Sequence, residues 1–84
     1  MYRIETDEQA QSQVDALPAD ALAWYAEVRA MLEVSPWSSE PINDRNPDGP
    51  VRTLAFDDHH QGMVTCLILE EQRRVDVLSV LWLG

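Results

Sequence analysis

The chain has 84 residues, 45% hydrophobic and 25% charged, so it holds one small domain with a core near the lower limit of self-sufficiency and too apolar for wholesale disorder. Fifteen Asp and Glu against six Arg, with no Lys, give a formal charge of −9; phosphate contacts dominate polyanion affinity, so tight, nonspecific nucleic-acid binding is disfavoured. A lone Cys66 excludes an internal disulfide, and no CxxC motif or Cys/His ligand array occurs, so a reducing cytoplasm and no metal or other cofactor are expected.

The N-terminus, MYRIETDEQA, is acidic where a secretory leader needs a basic region and an apolar run. Tyr2–Glu5 alternates apolar and charged residues, the pattern of a half-buried strand. Thr6 followed by Gln9 forms a T-x-x-Q capping box, which starts the first helix at Asp7. Its apolar face carries Ala10, Val14 and Leu17, and Leu17-Pro18 breaks it. Ala21, Trp24, Tyr25, Val28, Met31 and Leu32 recur at helical spacing in the second helix, which places Trp24 and Tyr25 in the core. With only a turn between them, the two helices form an antiparallel hairpin.

Residues Ser35–Pro50 hold four of the five prolines and an N-P-D-G turn signal, and read as a loop. From Val51 the pattern changes to strands: Val51–Phe56, Met63–Leu69 and Arg74–Trp82, separated by polar, hairpin-length DDHHQG and EEQR. In the last strand Val75, Val77 and Ser79 are expected on one face and Leu78, Val80 and Trp82 on the other. Its apolar run is too short to span a bilayer, so no membrane association is expected. A strand apolar on both faces is either covered twice or exposed, and exposure favours a homodimer. The order is β-α-α-β-β-β, a single α+β domain over residues 1–84 with a helical hairpin on a mainly antiparallel four-stranded sheet.

The pieces Y-R-I, L-P between the helices, V-R-T-L-A-F and R-R-V-D-V-L-S-V resemble the RelE/ParE toxin superfamily over nearly the whole chain. That resemblance implies the RelE/ParE-like fold and a bacterial toxin. It also implies either an endoribonuclease that cuts messenger RNA, often on the ribosome, or a ParE-like inhibitor of DNA gyrase, commonly with an antitoxin partner. The carry-over of catalytic residues is thin. Arg52 keeps one basic position of the second predicted strand, while Leu54 replaces its second and Met63 replaces an arginine at the start of the third. The sequence ends at LWLG, without the family's arginine and tyrosine tail, and is acidic where members are commonly basic.

Chemistry that could replace the missing set is concentrated around one hairpin. RNA cleavage by 2′-hydroxyl attack needs a base, an acid and a cation for the phosphate. His59 and His60 suit the first two roles, because histidine titrates near neutral pH, and Asp57 and Asp58 would support them. Arg52 suits the phosphate, Arg3, Arg73 and Arg74 could make a basic patch, and Trp37 or Trp82 could stack a base. Each has a plainer reading: the histidines as turn residues, the arginines as surface ion pairs, the tryptophans as covers for a core edge, and Cys66 as a small buried hydrophobe. Two histidines and two aspartates lack a third ligand at a recognised metal spacing. The leading expectation is a metal-independent, RelE-like endoribonuclease acting on RNA; the alternative is a non-enzymatic binding module on the toxin fold.

Overall fold

In the computed structural model, which describes residues 1–41, 49–56 and 61–83, two helices lie on one face of a five-stranded sheet. β1 (Arg3–Thr6) ends where Asp7 caps α1 (Glu8–Asp15), its carboxylate accepting the Glu8 N–H at 2.8 Å. The cap is therefore Asp7 and not Thr6. Asp7 donates its own N–H to the Val77 carbonyl, so strand contacts persist one residue longer than the capping box implies and the helix starts one residue later. Pro18, with φ fixed near −65°, opens α2 (Ala19–Val34), so the expected break at Leu17-Pro18 falls between the helices.

The remaining strands are β2 (Glu40–Pro41), β3 (Val51–Phe56), β4 (Gly62–Leu69) and β5 (Arg74–Trp82), in the spatial order β1-β5-β4-β3-β2. β1 runs parallel to β5, and every other pairing is antiparallel. The four-strand expectation missed β2, two residues inside the proline-rich segment that pair with Thr53 and Arg52. Pro41 fits there because an edge strand can spare a ladder donor.

A β-bulge corrects the expected facing of β5. Thr65 pairs with Ser79 and Cys66 with Val77, leaving Leu78 as the extra residue. The alternation resets, so Val75, Val77, Val80 and Trp82 all lie on the face shared with Ile68, Cys66, Val64 and Gly62. Leu78 and Leu81 are left exposed. Just past the bulge, the Val80 N–H donates to Gln13 Oε1 of α1 at 2.7 Å, which fixes α1 against β5.

The core is built from Ala10 of α1, the Ala21, Tyr25, Val28 and Leu32 stripe of α2, and Phe56, Val64, Cys66, Ile68, Val75, Val77 and Val80 of the sheet. Trp24 departs from expectation: it is 38% exposed. The buried stripe is narrow, and Trp24 lies on its flank at the margin of β3, where the sheet runs out. Among the described residues no helix is long and apolar enough to cross a membrane.

Candidate functional site

Arg52 pairs across the ladder with Cys66, and so shares a sheet face with Leu54 and Phe56, the face the helices cover. It is 6% exposed. Its Nε donates to the Gly49 carbonyl at 3.0 Å and its Nη1 to the Ser39 carbonyl at 2.9 Å. The guanidinium carbon lies 4.8 Å from the centroid of Trp37. Arg52 thus ties the start of β3 to the segment that leads into β2.

Trp37 extends the same knot by donating its indole N–H to Glu70 Oε1 at 2.6 Å. The Tyr2 hydroxyl donates to the same oxygen at 2.5 Å, and Arg73 pairs with the other oxygen at 3.4 Å. The hydrogen bonds from Tyr2 and then Trp37, with help from Arg73, hold the Glu70 carboxyl below its ordinary range. A depressed pKa stabilises the fold above the unfolded value, about 4.3, and that contribution is lost as pH falls through the folded value. Glu70→Gln keeps the shape but not the charge. Its urea midpoints at about pH 7 and about pH 3 should lie closer together than those of the unmodified protein, and an equal spacing would assign the acid sensitivity elsewhere.

The three arginines expected to form a basic patch are also engaged. Arg3 pairs with Glu5 at 2.9 Å, Arg74 with Asp76 at 2.8 Å, and Arg73 lies over the Tyr2 ring at 5.1 Å. The expected basic patch therefore consists of neutralised pairs. Cys66 is buried in mid-strand, and burial pushes its thiol up to about 11 against the opposing pull of Arg52, so it is a hydrophobe and not a nucleophile.

Five of the expected site residues, Arg3, Trp37, Arg52, Arg73 and Arg74, gather at one end of the sheet. Trp82 stands at the other, where Phe56 pairs with Gly62 and Gly62 with Trp82. It is half-buried and stacks on Phe56, centroids 6.0 Å apart and planes 19° apart. Asp57, Asp58, His59 and His60 follow Phe56 in the chain and lie outside the described residues. From Arg52 to Phe56 the strand advances four residues, about 13 Å at ~3.3 Å each, and the Arg52 side chain bonds back toward Gly49. Met63 is 45% exposed on the open face, and Leu54 faces the helices. Glu70 was not a candidate from sequence; its partners are 68 and 33 residues away, and no local pattern announces them.

With the fold and this geometry in hand, solved structures provide the comparison. The isolated E. coli RelE toxin superposes with a TM-score of 0.81 at 14% identity, covering 100% of this chain and 86% of that one. The chain has the RelE toxin fold. RelE in the intact E. coli RelBE toxin-antitoxin complex matches with a TM-score of 0.80 at 14% identity over 100% of this chain and 99% of that one. The archaeal RelE-RelB complex from Pyrococcus horikoshii OT3 gives 0.66 at 16% over 99% and 96%. No protein-family model and no curated protein matches the sequence.

Proposed function

We propose that this protein is the toxin-type member of a toxin-antitoxin pair and acts by contact with a protein target, with Arg52 serving the frame of the fold. The observation that carries this reading is the separation of Arg52 from the β3–β4 strand ends, together with the engagement of its guanidinium by two carbonyls and Trp37. An arginine that binds phosphate must present free donors to its oxygens beside the acid and base. The described arginines at the Arg52 end are instead held by carboxylates or backbone. The RelE-RelB complexes among the structural neighbours support an antitoxin partner. Exposed Met63 and Leu81, direct cross-strand partners, support self-association through the open face of the sheet.

A second reading, metal-independent RNA cleavage by His59 and His60, is favoured by one observation. The ends of β3, β4 and β5 that flank these residues converge, with Phe56, Gly62 and Trp82 in register. Induced expression in a bacterial host separates the two. Protein contact predicts equal growth arrest by the unmodified chain and the His59→Ala/His60→Ala variant, with intact messenger RNA by primer extension and no cleavage by purified protein with or without EDTA and ribosomes. Cleavage that the double variant abolishes would overturn the first reading and establish the second.

A further inference from the structure

We propose that the groove between α2 and the edge of β3 docks an extended, basic and aliphatic segment of a partner protein. The groove, about 320 Å³, is lined by Trp24, Val28 and Met31 on the helix side and by Leu54, Ala55 and Phe56 on the strand side. Its lining is apolar apart from Glu27. β2 pairs only with Arg52 and Thr53, so among the described residues the β3 edge from Leu54 onward has no neighbouring strand. An extended segment laid there would drop an aliphatic side chain between Met31 and Phe56.

Charge identifies the occupant. Trp24 is a ridge, and beyond it lies a second hollow of about 350 Å³ lined by Asp20, Ala23, Trp24 and Glu27. Asp20, Trp24 and Glu27 are spaced i, i+4, i+7 and so present an indole face between two carboxylates. This arrangement suits a cation lying over the ring. Elsewhere the molecule fills such places itself: Arg52 covers Trp37 at 4.8 Å and Arg73 covers Tyr2 at 5.1 Å. Among the described residues, no arginine covers Trp24 and none lines either hollow. A chain of −9 with no lysine also attracts a basic partner at long range.

The inference deepens the protein-contact reading by giving the partner's chemistry, but its test is independent of growth or cleavage. The full chain, labelled with ¹⁵N, is titrated with a short peptide alternating arginine with valine and leucine. Two control peptides replace the arginines with glutamate or the aliphatics with serine. The shifts should map to the Trp24 indole, to the Asp20–Met31 flank of α2 and to Leu54–Phe56. Asp20→Asn/Glu27→Gln, which leaves the fold intact by its spectrum, should weaken binding about ten-fold, as should Trp24→Ala and either control peptide. Equal binding of the glutamate peptide, an unchanged Kd in the Asn/Gln variant, or shifts centred on Met63 and Leu81 would overturn the proposal. Concentration-dependent shifts at the groove without peptide would assign it to a second copy of the chain and overturn it likewise.

Discussion

Arg52→Ala is expected to lower folding stability by roughly 3–5 kcal/mol, read as a shift in the urea midpoint by circular dichroism. A hydrogen bond to a charged group contributes about 1.5–3 kcal/mol, and Arg52 makes two with the Gly49 and Ser39 carbonyls. Its contact with Trp37 adds about 0.5–2 kcal/mol, and truncation strips both the carbonyls and the indole of their cover. A domain of this length has only about 4–13 kcal/mol in total, so the variant sits near the unfolding threshold. Arg52→Lys should recover only part of the loss, because an ammonium lacks the planar fork that reaches two carbonyls and lies flat on a ring. Arg3→Ala, which removes one exposed ion pair, should stay within about 0.5 kcal/mol. If Arg52→Ala unfolds within 1 kcal/mol of the unmodified protein (roughly the error of such comparisons), the arginine is not a clasp. The expected loss also governs how any activity assay is read: inactivity in Arg52→Ala measures the folded fraction first.

The direction of Arg52 was legible in the sequence. Alternation through VRTLAF places Arg52 with Leu54 and Phe56 and opposite Thr53 and Ala55, so a strand facing a core through Phe56 also buries the arginine. The helical stripe of α2 is equally legible, but its six apolar positions are too many for one buried face. Only Ala21, Tyr25, Val28 and Leu32 fit under the helix, and Trp24 falls outside the sheet margin. The facing of β5 was not legible, because a bulge between Thr65 and Cys66 depends on the pairing of two strands and leaves no mark in either alone. The polar knot around Glu70 was hidden for the same reason, since Tyr2, Trp37 and Glu70 meet only after β1 has docked against β5. The proposed His59 and His60 chemistry rests on sequence and on the convergence of the flanking strand ends.

Gly62→Ala is the second large effect, expected to cost roughly 2–4 kcal/mol by the same urea measurement. No described glycine has a positive φ, so backbone freedom does not explain this residue; space does. β3 and β5 flank β4, which sets their backbones about 10 Å apart. The rings of Phe56 and Trp82 nevertheless stack with centroids at 6.0 Å, so they lean toward each other over Gly62. A methyl there would stand 2.5 Å from Phe56 Cε1 and Cε2 and closer still to Cζ. The ring has little room to yield, being 3% exposed and held edge-on by Tyr25 at 6.1 Å. Overpacking of this kind costs about 1–3 kcal/mol, and a displaced ring pair about 0.5–1.5 more. Phe56→Leu should partly relieve the clash, so the double variant should be less destabilised than the sum of the single ones by about 1 kcal/mol or more. Strict additivity would mean that the cost of Gly62→Ala arises in the backbone. Because Phe56, Gly62 and Trp82 also form the strand ends that flank His59 and His60, a Gly62→Ala variant tests framework and function together. Contact through the Asp20, Trp24 and Glu27 face of α2, which Phe56 does not line, should survive in whatever fraction remains folded, whereas chemistry that depends on those strand ends should fall further than the folded fraction does.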